Sequence, residues 1–229
     1  MDILDQNNLF IVAPREPQIQ QPLILKLFAQ VISYIFHPVF IPAYVTYFLV
    51  FIHPDYFVGL DASTKITFFR SVVINMVFFP LITVLLLKGV GFINSIFLKT
   101  QKDRIIPYIA CGIFFFWMYL VLHNAQQVPA ILTSFIFGVF VTSSVGLIAN
   151  IYCKISMHAL GLGGALGLML LILFTNASWS ISIPLMLTIL ISGIVCTSRM
   201  IVSDHTPFEI YFGLFLGILC QFVAAIFLL

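Results

Sequence analysis

Four residues capable of acid–base or anion-binding chemistry lie within eleven consecutive positions of the stretch TSRMIVSDHTPFEIYFG, residues 197–213. They are Arg199, Asp204, His205 and Glu209. An Arg guanidinium offers a planar fork of donors that matches phosphate oxygens. A neutral imidazole can attack phosphorus, and a carboxylate four positions later can accept the hydrogen of the other ring nitrogen. In a chain that is only 8% charged, this concentration predicts a phosphate-handling site.

Two further segments carry residues of the same kinds. The segment ISMH at 155–158 contributes Ser156 and His158, and the segment KTQKDRIIP at 99–107 contributes Arg104 and two Lys residues. A phosphomonoester or pyrophosphate concentrates negative charge, so its site needs fixed cations and hydrogen-bond donors. These three segments therefore hold the candidate chemistry, and the rest of the chain must bring them together.

The composition places these segments in a membrane protein. Of the 229 residues, 62% are hydrophobic and 25 are Phe, and the mean hydropathy is +1.15. Such values are typical of a chain whose solvent is lipid. The formal net charge of +2, without a run of Lys and Arg, argues against nucleic acid as a partner. The four Cys residues have no paired spacing and are interpreted as small residues of the helix core.

Seven apolar windows are about as long as a bilayer-spanning helix requires. The first contains Lys26, His37-Pro38 and Pro42, so it is either a kinked span or an interfacial helix followed by a shorter span. We therefore predict an all-α, polytopic helical bundle of six or seven transmembrane helices in the cell (inner) membrane. It forms one domain over 23–229, after a polar tail at 1–22. The windows are roughly 24–51, 66–87, 107–122, 128–152, 158–174, 180–198 and 208–229.

Counting membrane crossings predicts that the polar segments share one side of the bilayer. Segments 88–106, 153–157 and 199–207 are separated by two spans each, so they must emerge together. The opposite connections, 123–127 and 175–179, contain no Lys, Arg, Asp or Glu. Because ionisable groups near a membrane are costly and tend to mark sites, we expect a single polar face. The distribution of positive charge leaves open which side of the membrane that face occupies.

With residues 198–209 read as S-R-x5-H-x3-E and 155–158 as I-S-M-H, the chain resembles the type 2 phosphatidic acid phosphatase superfamily, membrane phosphatases that share a helical core with vanadium haloperoxidases. The third signature of that family is S-R-x5-H-x3-D. It is matched in register at Ser198, Arg199 and His205, with Glu209 where the family has Asp.

The other two signatures of the family are matched in part. The second, P-S-G-H, is matched at Ser156 and His158, with Ile and Met in the remaining two places. The first, K-x6-R-P, is degenerate: Arg104 is present, but the nearby Lys and Pro residues have other spacings. The resemblance covers about residues 66–229, so it leaves out the first window.

The resemblance implies a role for each matched residue. His205 is expected to be the nucleophile that forms a phosphohistidine, and Glu209 to fix its tautomer. His158 is expected to act first as general acid and then as base for water. The implied substrate is a membrane lipid phosphomonoester or pyrophosphate, and no metal or other cofactor is required. The residues expected to bind the phosphate are Arg199, Arg104, Lys99, Lys102, Ser156 and Ser198.

Several of these residues also have a purely structural interpretation. The sequence T-P-F-E at 206–209 is a capping box, in which Glu209 would reach back to the Thr206 backbone N–H. The Gly-rich stretch GLGGALG at 161–167 lies in an apolar window, which favours close helix packing over a nucleotide loop. His37, His53 and His123 are interpreted as kink, loop and span-end residues.

Three other functions remain open at this point. The degenerate first signature is compatible with a catalytically weak relative, or with a phosphotransferase that binds lipid phosphate. A zinc site of His158, His205 and Glu209 is conceivable. A transporter or channel would require internal symmetry and polar residues at mid-membrane depth, and the charged residues lie at span ends instead.

Overall fold

The computed structural model describes residues 21–98, 100–125, 127–175, 181–202 and 205–229. This part of the chain is all-α and contains no strand, which confirms the predicted fold class. Residues 1–20 of the polar tail lie outside the described residues. The eight helices are α1 Leu23–Ile35, α2 Ile41–Ile52, α3 Ala62–Gly89, α4 Gln101–Asn124, α5 Ala130–Tyr152, α6 Met157–Thr175, α7 Ser182–Val202 and α8 Pro207–Leu228.

Six of these helices, α3 to α8, are long and apolar enough to cross a membrane. The first predicted window is not one continuous span. It is divided into α1 and α2, because the chain turns at His37–Phe40 and Pro42 lies in the first turn of α2. Proline cannot donate the backbone hydrogen bond that a continuous helix would require. At about 1.5 Å per residue, the 13-residue α1 is about 20 Å long, shorter than the hydrocarbon core.

The remaining windows match helices whose ends are set by side-chain caps. Asp61 accepts a hydrogen bond from the backbone of Thr64 and begins α3, which contains a π-helical turn at Ile74–Phe78. Thr100 accepts from the backbone of Asp103 and begins α4, six residues before the predicted start. As a result, Arg104 lies inside the first turns of a helix rather than in a loop.

The centre of the bundle is α6, the most deeply buried of the long helices. It packs most closely on α8, which also packs on α5. A Cβ atom on Gly163 would overlap the backbone oxygen of Leu214, and one on Gly217 would overlap that of Leu160. Only glycine allows the two backbones to approach this closely. The interpretation of GLGGALG as a packing surface is therefore confirmed.

Three helices begin at the same end of the bundle. The Arg104 guanidinium of α4 donates from Nη1 to the backbone oxygen of Ile155, at 2.9 Å, just before α6. The backbone N–H of Ser156 donates to the backbone oxygen of Glu209 in the first turn of α8, at 3.2 Å. These two bonds join segments that the sequence places about 50 residues apart, and they confirm the prediction that the polar segments share one face.

Candidate active site at one end of the bundle

His205 and Glu209 form a hydrogen-bonded pair at the start of α8. The ring Nδ1 of His205 lies 3.0 Å from Oε2 of Glu209. A carboxylate can only accept, so Nδ1 carries the proton. In the neutral ring, Nε2 then carries the lone pair and is the nitrogen able to act as nucleophile or base.

The same carboxylate oxygen also closes the capping box. Oε2 of Glu209 accepts from the backbone N–H of Thr206 at 3.0 Å, and the Thr206 hydroxyl accepts from the backbone N–H of Glu209 at 3.3 Å. The two interpretations that the sequence offered as alternatives are therefore both present. Helix capping fixes the carboxylate, and the fixed carboxylate orients the imidazole.

His205 is buried, with 8% of its surface exposed. Burial lowers its pKa, the hydrogen bond that its Nδ1 donates to Glu209 opposes that shift, and the nearby Arg104 and Arg199 charges lower it further. The net direction is downward, so the ring is neutral at physiological pH. The neutral form is the one that can attack an electrophile.

His158 lies in the first turn of α6 and faces the first predicted window. Its Nε2 is 3.0 Å from the backbone oxygen of Ser33, near the end of α1. Its ring also packs edge to face against His37, with 5.3 Å between ring centroids. Ser33 and His37 are contacts that the sequence interpretation missed, because it treated His37 as a kink residue. The sequence signal that could have indicated these contacts is the His37-Pro38 pair. A Pro disfavours helical backbone at the residue before it, so α1 must end near His37 and leave this polar ring at a helix end.

Two guanidinium groups lie beside these rings. Arg104 is 6% exposed, and its Nε donates to the backbone oxygen of Leu98 at 2.9 Å, in addition to the bond to Ile155. Arg199 is half-buried in the last turn of α7. It interacts electrostatically with Arg104 and with both His158 and His205, and these two rings also interact with each other. The structure therefore brings together the imidazole and guanidinium groups that the sequence singled out.

The other four residues predicted to bind phosphate are two serines, whose hydroxyl groups bond to the backbone, and two lysines. Ser156 is fully buried, and its hydroxyl accepts from the backbone N–H of Ala159 at 3.5 Å, as a cap of α6. The hydroxyl of Ser198 donates to the backbone oxygen of Ile194 within α7, at 2.8 Å. Lys102 is exposed on α4, and Lys99 lies outside the described residues. Phosphate binding by these four stays a prediction.

The hydroxyl groups at this end have a common structural role. Thr100, Ser156 and Thr206 each precede a helix and accept a hydrogen bond from its first turn. The N-termini of α4, α6 and α8 therefore converge where Arg104, Ile155 and Glu209 meet. Helix N-termini carry partial positive charge and favour anions.

The described residues contain no group of three His, Cys, Asp or Glu side chains arranged to hold a metal ion. His158, His205 and Glu209 accordingly do not form the zinc site that the sequence left open. Comparisons with protein-family models, with curated protein sequences and with solved structures give no match.

Proposed function

We propose that the chain is an integral membrane phosphatase that hydrolyses a lipid phosphomonoester or pyrophosphate through a phosphohistidine, as its resemblance to the type 2 phosphatidic acid phosphatases implies. One observation carries the proposal. Two imidazoles and two guanidinium groups, drawn from three distant helix junctions, meet where three helices begin.

The charge balance of the site supports an anionic ligand. Arg104 and Arg199 are close enough to repel each other, and among the described acids Glu209 is the one that interacts with Arg104. Keeping two like charges close together is unfavourable unless an anion offsets them. A phosphate bound between the two guanidinium groups would supply that negative charge.

The proposed first step transfers the phosphoryl group to the enzyme. Nε2 of His205 attacks phosphorus, so a P–N bond forms while the bond from phosphorus to the leaving oxygen breaks. His158, which takes up a proton when the phosphate anion is bound beside it, gives its Nδ1 proton to that leaving oxygen, which departs as an alcohol or as phosphate. Glu209 stabilises the imidazolium that forms on His205.

The second step releases phosphate. Neutral His158 takes a proton from water at Nδ1 while the water oxygen attacks phosphorus and the P–N bond breaks. His205 recovers its lone pair, and His158 returns to its protonated form. The sum of both steps is hydrolysis of one phosphate ester or anhydride bond by one water molecule.

The position of the site suits a lipid substrate. The reactive groups lie at the ends of helices long enough to span a bilayer. A phosphate at the headgroup plane could reach them while its acyl or prenyl tails stay in hydrocarbon. The lipid would not need to leave the cell membrane for the reaction.

The direct test is phosphate release by the purified protein. Phosphatidic acid and a prenyl pyrophosphate in mixed micelles are incubated with wild-type protein, with His205→Ala and with His53→Ala. We expect His205→Ala to lose at least about 10,000-fold in turnover, because the nucleophile is removed. His53→Ala is the matched control: it is a buried His that contacts Phe48 and Tyr56 and follows α2 at the opposite end from His37. Phosphate release that does not depend on His205 would refute the proposal.

One observation favours a second candidate, a relative that binds lipid phosphate or transfers it without efficient hydrolysis. Two donors of Arg104, Nε and Nη1, are already used by the backbone oxygens of Leu98 and Ile155. This leaves fewer Arg104 donors for a phosphate. Stoichiometric phosphorylation of His205 with little phosphate release, stimulated by an added alcohol acceptor, would favour this candidate.

A further inference from the structure

The break between α1 and α2 lies against His158, although the two regions are far apart in the chain. Nε2 of His158 is 3.0 Å from the backbone oxygen of Ser33, a separation of 125 residues. Ser33 is 5% exposed and lies in the last turn of α1, and its own hydroxyl donates to the backbone oxygen of Ala29 at 2.8 Å. The acceptor presented to His158 is therefore held by the helix that carries it.

This contact determines which nitrogen of His158 can exchange a proton with substrate. A backbone carbonyl can only accept, so Nε2 carries the hydrogen and Nδ1 is the remaining nitrogen of the ring. A flip of the ring would place carbon Cε1 where Nε2 lies and carbon Cδ2 where Nδ1 lies, and it would break the bond to Ser33.

The ring of His37 is placed to oppose such a flip. Its centroid lies 5.3 Å from that of His158, and the two planes are 81° apart. His37 is itself held, because Nδ1 accepts from the backbone N–H of Val39 at 3.4 Å and the ring packs on Phe40. Pro38 restricts the backbone immediately after it.

We propose that His37 is a positioning residue for His158: its ring holds the His158 ring on the Ser33 carbonyl, so that Nδ1 alone exchanges protons in the reaction. The catalytic consequence rests on the proposed phosphatase function, whereas the tautomer of His158 does not. This extends the site to the first window, which the family resemblance leaves out.

The effect on the reaction follows from the two proton transfers. In the first step the Nδ1–H bond of His158 breaks as the leaving oxygen takes the proton, and in the second the proton returns from water to Nδ1. If the ring is held with Nδ1 toward the reacting atoms, both transfers use one geometry. Misplacement of a catalytic group by about 1 Å can cost about 100-fold in rate.

Two substitutions test the ring of His37 and its hydrogen-bonding nitrogen one at a time. His37→Phe keeps a ring against His158 and loses the acceptor for Val39. His37→Asn loses the ring, and its side-chain oxygen can still accept from the backbone two residues later. With phosphatidic acid as the probe, we expect His37→Phe to stay within about threefold of wild type. We expect His37→Asn to lose about 10- to 100-fold in kcat, with KM changed less than about twofold.

A spectroscopic readout tests the same inference without any turnover. In protein labelled with ¹⁵N at histidine, the ring-nitrogen shifts of His158 are assigned by comparison with His158→Gln. In protein without substrate, at a pH where His158 is neutral, we expect a single Nε2–H tautomer in wild type and His37→Phe, and a mixture of tautomers in His37→Asn. His53→Asn is the matched control and should leave the His158 signals unchanged.

The outcomes are distinct. An unchanged His158 tautomer in folded His37→Asn, or equal disturbance by the Phe and Asn variants, would overturn the positioning role. If the wild-type protein releases no phosphate yet the tautomer depends on the His37 ring, the positioning inference stands and the proposed function fails. Thermal unfolding of each variant establishes that the compared proteins are folded.

Discussion

The two imidazoles of the site are held in opposite ways. His205 is oriented by Glu209, four residues later, and both lie at the start of the same helix. His158 is oriented by Ser33 and His37, which come from another part of the chain. The first arrangement forms whenever α8 forms, whereas the second requires α1, which packs on α7, to bring Ser33 and His37 against the start of α6. We therefore expect the two halves of the site to respond differently to perturbation.

The two halves also differ in whether the chemistry can be changed without changing the fold. On the α8 side, one carboxylate both caps the helix and supports the ring, so its charge and its hydrogen bonding can be changed independently. On the α1 side, the contact depends on tertiary packing, and loss of packing should precede loss of chemistry. Glu209 tests the α8 side, formed by His205 and Glu209, and His37 tests the α1 side, formed by Ser33, His37 and His158. Gly213 tests the junction between the two sides.

Among the perturbations that compare the two halves, Glu209→Gln should have the largest effect. The amide oxygen can still accept the backbone N–H of Thr206, so the helix cap is retained. Its negative charge is lost, so the imidazolium that forms on His205 is no longer stabilised. We expect turnover to fall about 100- to 10,000-fold, with little change in the midpoint of thermal unfolding. Equal losses of turnover and stability would show that Glu209 is only a cap.

A smaller effect is expected on the α1 side, where lowering the pH should reduce stability through protonation of His37. Burial, followed by the charge of Arg199, lowers the pKa of His37 from 6.5 to about 4. Because the folded protein binds this proton less readily than the unfolded chain, stability is greatest above pH 6.5 and falls as pH decreases toward 4. The pKa of His205 is also lowered, so it contributes in the same direction. The contribution of His37 is at most about 3 kcal/mol.

Thermal unfolding in detergent between pH 7.5 and 4.5 measures this dependence. His37→Phe should flatten the curve, because the ring is kept and its titration is removed. Identical acid sensitivity of wild type and His37→Phe would contradict the prediction.

The smallest effect is expected at the junction of the two halves. A Cβ atom added at Gly213 of α8 would lie 3.1 Å from the backbone oxygen of Ser156 and 3.5 Å from the backbone nitrogen of Leu160. Gly213→Ala should push α8 slightly away from the start of α6 and destabilise the protein by about 1–2 kcal/mol. Gly193→Ala is the control, because nothing lies within 4 Å of its added Cβ atom. Equal stability of the two variants, measured by thermal unfolding, would argue against a close junction there.

Local patterns in the sequence predicted the α8 side well. The spacing of His205 and Glu209 places both on one face of a helix start, and T-P-F-E specifies the cap that the structure contains. The apolar windows located the six long helices because spanning a bilayer imposes length and composition on each segment separately. These features depend on neighbours within a few residues.

The α1 side could not be predicted in the same way. His37 was visible as a His-Pro kink, but its contact with His158 depends on how α1 packs on the bundle, and hydropathy alone does not determine that packing. The start of α4 was also missed, because the charged turn Q-K-D-R lowers the hydropathy of its first residues. Thr100 begins the helix there, and this places Arg104 within reach of Ile155.

The double use of Oε2 in Glu209 has a mechanical consequence. A single oxygen holds both the N–H of the backbone where α8 begins and the N–H of an imidazole. Fraying of that helix end would therefore turn the ring and change its basicity at the same moment. The orientation and basicity of the His205 ring are thus tied to the integrity of one helical turn, and the ring would lose its alignment before the bundle itself came apart.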